Sequence, residues 1–339
     1  MYIFQLKFFH FIQILFLLKL SSINNFDFEL GEGNYKVIYI QQKIIYISSS
    51  EDDYNIYYHN ETDKTNFDNY VNIKKNKDIV KIDEEYFSIV GFNEGNNFNY
   101  ITYKLLPNGS LQNIYGNKIG NIIYSNVIQY NFRCISNISC ILSLIEGTSP
   151  SNLHIFLVNL NSNSLNELTI PSINSVYNKN NIQCDFFPDK KNFLCFLNCK
   201  NKYSDIIVGE NYYLSGNINS NNLNLKQFTE ETYYVLGNII KMDGLNNKIL
   251  YCYEKNSISN QIQIFCQYFK IENNNILPEN KKEVDNIDGK SIYDRPLILQ
   301  IYQNSIFIEL DLLESGGNSA MLIMCSLDFK ISVKSKQYI

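Results

Sequence analysis

Side chains able to do chemistry are few and scattered in this sequence. Past the N-terminal stretch there are two histidines, His59 and His154. A hydrolytic triad needs an imidazole set between a nucleophile and an orienting carboxylate, and neither histidine stands in a recognisable arrangement of that kind. His154 alternates with Leu153 and Ile155 on an expected strand, the pattern of a structural or surface residue. There is no G-x-S-x-G elbow, no phosphate-cradling glycine loop and no H-E-x-x-H. Acids cluster at Glu51-Asp52-Asp53, Asp83-Glu84-Glu85 and Glu230-Glu231. All three clusters fall at expected turns, where a solvated loop accounts for them, and no calcium-ligand spacing accompanies the first. Glycosidases use two carboxylates roughly 5 to 10 Å apart across a cleft. Asp52, Asp83 and Glu230 are the acids on which such chemistry would draw. Sialidases grip the substrate carboxylate with three arginines. This chain has two, Arg133 and Arg295, and lysine replaces a bidentate fork poorly. The expectation is no catalytic residue, no metal and no cofactor.

The eight cysteines are Cys134, Cys140, Cys184, Cys195, Cys199, Cys252, Cys266 and Cys325. Their spacing matches no zinc pattern, the nearest being Cys195-x3-Cys199 without a second pair. An even number, all far from the N-terminus, reads as disulfides in an oxidising compartment. Sequons at Asn60, Asn108 and Asn137 are glycosylation candidates, though a chain with 50 Asn produces such triplets by chance.

The segment 1–24 reads as a signal peptide. Lys7 precedes an apolar run over 8–18, and Lys19, Ser21 and Ser22 form a polar exit. Eleven residues fall short of the roughly 20 that span a bilayer. The C-terminal stretch is polar, without the hydrophobic tail of a lipid-anchor signal. These features predict a secreted protein, or one in a secretory organelle, with no direct membrane anchor.

Composition points to strands. Tyr and Phe number 26 and 22, against a single Ala, Ala320. Ile and Tyr favour strands and Asn favours turns, whereas Ala, Leu, Glu and Arg would favour helices. The formal charge of -5 and the two arginines argue against nucleic acid as a partner.

Two markers recur along the chain. The first is an Asn-rich turn opening a strand, at Asn108-Gly109-Ser110-Leu111, Asn163-Ser164-Leu165, Asn221-Asn222-Leu223 and Asn274-Asn275-Ile276. The second is a compact apolar run, as at Tyr86–Val90, Ile138–Leu144, Phe193–Leu197 and Ile249–Tyr253. Both return after a little over 50 residues, so each unit reads as four antiparallel strands. Six units, beginning near Tyr35, Asp78, Asn126, Asn181, Gly237 and Pro296, fill residues 25–339. The expected fold is therefore all-β, a six-bladed β-propeller of four-stranded antiparallel blades. The alternative is two or three β-sandwich domains. In this register Cys134 with Cys140, and Cys184 with Cys195, staple the first hairpin of two units. Cys252 reaches Cys266, and Cys199 and Cys325 are left over for a bond between units four and six.

The Asn, Ile, Lys and Tyr bias, a signal peptide, six sheet units and scattered cysteines together resemble the secreted β-propeller proteins of malaria parasites, such as the cysteine-rich protective antigen. The resemblance covers architecture, not motifs, and its cysteine pairs are arranged differently, so it implies no binding residues here. Cys184-Asp185-Phe186 is loosely similar to the parasite six-cysteine surface domains. Eight cysteines fit that pattern badly. The functional expectation is a secreted, non-catalytic protein-binding or adhesion module whose partner is another secreted or surface protein, with a glycan as a further ligand. The alternative is a carbohydrate-active or other hydrolytic enzyme using acidic residues in a central channel.

Overall fold

A computed structural model describes residues 35–41, 43–48, 55–58, 65–66, 75–93, 96–123, 126–147, 151–173, 177–201, 209–227, 235–240, 248–256, 262–272, 275–287, 291–292, 298–302, 305–314, 317–326 and 332–338. The expected signal segment 1–24 lies outside the described residues, as do Asp52, His59, Asn60 and Glu230.

Among the described residues all regular structure is β, in six discrete antiparallel sheets. The first contains β1 (Tyr35–Ile40), β2 (Lys43–Ser48), β3 (Asn55–Tyr58) and β4 (Thr65–Asn66). The second contains β5 (Lys75–Lys81), β6 (Tyr86–Phe92), β7 (Asn97–Leu105) and β8 (Leu111–Ile123). The third contains β9 (Val127–Cys134), β10 (Ser139–Glu146), β11 (Asn152–Asn159) and β12 (Ser164–Glu167). The fourth contains β13 (Tyr177–Phe186), β14 (Asn192–Asn201), β15 (Gly209–Asn217) and β16 (Asn224–Gln227). The fifth contains β17 (Val235–Ile240), β18 (Lys248–Asn256), β19 (Ile262–Glu272) and β20 (Asn275–Ile287). The sixth contains β21 (Ser291–Ile292), β22 (Ile298–Tyr302), β23 (Ser305–Glu314), β24 (Gly317–Ser326) and β25 (Ser332–Tyr338). In the first five sheets each strand pairs with the next in sequence; in the sixth, β21 and β22 both pair with β23.

Short polar side chains set the turns. Asp83 Oδ1 accepts from the backbone N–H groups of Glu85 and Tyr86, at 2.7 and 2.9 Å. Ser136 Oγ and Asp189 Oδ1 do the same in the matching turns of the third and fourth sheets. Such local bonds occupy donors that a continued strand would need elsewhere, which is why these residues end strands. In the Asn turns, Asn108 Oδ1 accepts from Ser110 N at 3.0 Å, and Asn163 holds φ 51°. Asn tolerates that left-handed conformation better than most residues.

Second strands are buried along nearly their whole length, as in Phe87–Phe92 of β6 and Cys140–Ile145 of β10. A strand with a core on each side must be apolar on both faces, so these segments read as continuous apolar runs. On β14, Phe193, Cys195 and Leu197 face the third sheet, whereas Leu194 and Phe196 face the fifth. Between the second and third sheets the core holds Phe98, Tyr100, Phe132, Leu142 and Phe156. Between the fourth and fifth, the Phe196 and Tyr251 rings stack 3.6 Å apart and 4° from parallel. Polar bonds also cross. Tyr100 Oη donates to Leu160 O at 2.8 Å, and Gln129 Oε1 and Asn131 Oδ1 accept from Ile182 N and Cys184 N. The last two occupy N–H groups on the side of β13 that no strand of its own sheet pairs, where a bare edge would invite another strand.

These observations correct the expected six-bladed β-propeller. No strand ladder runs from one sheet into the next, and the Thr169–Asn222 bridge between the third and fourth sheets is isolated. Among the described residues, no strand pairing joins the sixth sheet to the first. The architecture is a succession of open sheets, the first five packed face against face, closer to the sandwich alternative. It differs from that alternative in one respect: interior sheets serve two cores, so the chain does not part into separate sandwiches. The repeat determines hairpins and sheet size, but a strand apolar on both faces has the same pattern whether its sheets stand in a row or close on themselves.

Disulfides join Cys134 to Cys140, Cys184 to Cys195 and Cys252 to Cys266, each pair directly opposite across two antiparallel strands. Cys199 is a free, buried thiol, so the expected bond from it to Cys325 is not made. Among the described residues, no helix is long and apolar enough to cross a membrane.

Candidate active site at the end of the third sheet

β11 and β12 form the outer hairpin of the third sheet, with Phe156 opposite Glu167. Residues two apart on a strand share a face, so His154 and Glu167 are diagonal neighbours across this hairpin. The imidazole Nδ1 lies 2.7 Å from Glu167 Oε1, and the His154 ring stacks on Phe156 at 6.2 Å. The histidine side chain is 24% exposed and the glutamate 55%. The pair is thus reachable from solvent while held by a ring on one side and a carboxylate on the other.

It borders a cleft of about 340 Å³. Leu168, Ile170, Pro171 and Ile173 supply the apolar wall, and Asn152 and Lys179 add polar groups. Lys179 enters from β13 of the fourth sheet and is fixed to the first residue before β11. Its Nζ donates to Ser151 O at 2.9 Å, its backbone N–H donates to Ser151 Oγ, and Ser151 Oγ is also within bonding distance of Lys179 O. A second clamp lies at Thr169, whose N–H donates to Asn221 O at 2.8 Å. The cleft therefore sits on two sheets locked together by the Ser151–Lys179 side-chain bonds and by a main-chain bond at Thr169, the kind of support that positions reacting groups.

The arrangement can move protons. With Glu167 accepting from Nδ1–H, the neutral imidazole carries its lone pair on Nε2, and the carboxylate stabilises the imidazolium formed when Nε2 takes a proton. Sequence reading takes His154 for a structural or surface residue and does not bring Glu167 to it. The signal was available: pairing β11 with β12 across the Asn163 turn brings Glu167 beside His154.

The acids expected to do chemistry are otherwise engaged or outside the described residues. Asp83 caps its own turn. Glu84 accepts from Gln41 N and pairs with Lys81, and Glu85 pairs with Lys104 at 3.1 Å. Partial burial pushes the Glu84 carboxyl up, but the Lys81 and Gln41 hydrogen bonds outweigh it and hold the group below the usual range. Asn108 is exposed in the β7–β8 turn and Asn137 half-buried in the β9–β10 turn. Among the described residues, no group of three or more His, Cys, Asp or Glu could hold a metal ion.

No family model and no curated protein matches the chain. Solved structures do. Polysaccharide lyase Uly1 matches with TM-score 0.52 at 8% identity, covering 87% of this chain and 78% of the lyase, and shows a shared fold. The periplasmic gluconolactonase PpgL of Pseudomonas aeruginosa is similar at TM-score 0.48 and 9% identity, over 90% of this chain and 82% of its own. The α-L-arabinofuranosidase Arb93A from Fusarium graminearum is similar at 0.47 and 9%, over 87% and 93%.

Two expectations are corrected on these findings. Polysaccharide lyase Uly1 shares the fold and no curated protein matches, so the expected resemblance to the secreted β-propellers of malaria parasites is corrected. The non-catalytic binding or adhesion module rested on the lack of a catalytic constellation, and the His154–Glu167 pair at the cleft is a candidate for one.

Proposed function

We propose that the protein is a carbohydrate-active enzyme in which His154, oriented by Glu167, transfers the proton in the cleft at the end of the third sheet. The observation that carries this reading is the 2.7 Å Nδ1–Oε1 contact at the border of an open, half-apolar cleft. A base needs a held imidazole and access to substrate, and the Glu167 contact and the part-exposed His154 side chain support both. The shared fold with a polysaccharide lyase supports the substrate class. Compared with the acid-lined channel expected from sequence, the reacting group moves to an imidazole and the site moves between two sheets.

The test is a cleavage assay on a polysaccharide panel with the wild type, His154→Ala and Glu167→Gln, each checked by circular dichroism for an intact fold. His154→Ala lowers kcat by about 10²- to 10⁴-fold, the usual worth of a positioned acid–base group. Glu167→Gln lowers it less, since the amide still holds the ring in place but stabilises no imidazolium. A folded His154→Ala variant cleaving at the wild-type rate would refute the site.

A further inference from the structure

The cleft's inventory narrows the reaction. Hydrolysis of a glycosidic bond ordinarily uses two carboxylates, one acid and one base or nucleophile. Among the described residues the lining offers one carboxylate, Glu167, already committed to His154, together with an ammonium from Lys179. One base and one cation lining the same cleft suit a different chemistry: removing a proton adjacent to a carboxylate, where the cation neutralises charge as it builds.

Resting on the proposed function above, we infer that the substrate is a uronate-containing polysaccharide and that the bond is broken by β-elimination. Nε2 of His154 takes the proton from C5, next to the C6 carboxylate. The C5–H electron pair becomes the C4–C5 double bond, and the C4–O4 bond breaks with its pair on oxygen. The imidazolium returns the proton to O4. Atoms and electrons balance without a metal, an oxidant or water. Lys179, held on the cleft wall by Ser151, faces the uronate carboxylate and carries the developing enolate charge. Asn152, at the start of β11, adds an amide to the same rim.

Another carboxylate tests the alternative. Glu146 lies on β10 directly opposite Asn152, with Oε2 buried and without a hydrogen-bond partner among the described residues. It is not part of the lining. Under elimination it has no chemical part; under hydrolysis it would be the missing second acid.

The experiment incubates the full chain with polygalacturonate, alginate and hyaluronan, and with their carboxyl-reduced forms. Near-ultraviolet absorbance of the unsaturated uronate is followed alongside total reducing ends. The expected result is absorbance growing in step with reducing ends on at least one acidic polymer, none on its reduced form, and unchanged rates for Glu146→Gln. Lys179→Gln should lower the rate at least tenfold, with Lys179→Arg recovering part of it if the variant folds as judged by circular dichroism. Reducing ends without absorbance, or a Glu146→Gln variant as impaired as His154→Ala, would overturn elimination while leaving the carbohydrate-active reading intact. Cleavage of neutral polymers alone would do the same. No cleavage of acidic or neutral polysaccharide would overturn both.

Discussion

Cys199 shows at the scale of one residue how position decides chemistry. It pairs across β13 and β14 with Lys179, the lysine of the cleft, yet its sulfur is buried in the core between the third and fourth sheets. Burial pushes the thiol up to about 12; the Lys179 charge opposes this and Glu210 adds to it. An unfolded thiol titrates near 8.5. The native state therefore holds a proton that the unfolded chain gives up, so the contribution is fully present below about pH 8.5. It is lost as pH rises toward 12, at up to about 1.4 kcal/mol per pH unit. Urea unfolding of the wild type and Cys199→Ala at several pH values reads this directly. The stability difference between them should shrink above pH 8.5, and a constant difference would show that the thiol does not titrate on unfolding. A thiol reagent at pH 8 should likewise react with Cys199 only as the protein unfolds.

Strands and turns were legible because their signals are local. Asp83 and Asn108 end strands by hydrogen bonds within a few residues of themselves. The continuous apolar runs of β6 and β10 announce burial on both faces. What was not legible is decided by register and by neighbouring sheets. Glu167 reaches His154 through one specific pairing of β11 with β12, and Lys179 arrives from a different sheet. Gly216 illustrates the same dependence in packing. It stands opposite Phe193 on β14, and a methyl group on it would run into the Phe193 ring and lie 2.7 Å from Leu223 Cδ2. Nothing in the local sequence Leu214-Ser215-Gly216-Asn217 announces that ring. Gly216→Ala should destabilise by about 1 to 3 kcal/mol, the usual cost of overpacking a core, measured as a lowered urea midpoint with unchanged slope. Since Phe193 and Leu223 belong to the core shared by the third and fourth sheets, a Phe193→Leu partner change should recover part of the loss. An undiminished midpoint in Gly216→Ala would mean the ring moves aside freely.

Across the whole molecule, charge and site work against each other. The chain carries a formal -5, so a polyuronate approaches a protein of its own sign, and long-range repulsion slows encounter. Inside the cleft, Lys179 attracts the same polymer at close range, on a wall held by Ser151. Salt screens these two effects unequally. At physiological ionic strength the Debye length is about 8 Å, which removes most of the repulsion between distant charges but leaves a close contact largely in place. For an acidic substrate, kcat/KM should therefore rise from low to physiological ionic strength while kcat stays nearly level. Steady-state rates on polygalacturonate, alginate or hyaluronan across a salt series would show it. Lys179→Gln should keep the rise, because repulsion belongs to the whole surface, but start from a lower rate at every salt concentration. A kcat/KM that falls with salt in the wild type would mean that local attraction, not net charge, governs encounter, and it would place more cationic side chains along the polymer's path than the described cleft contains.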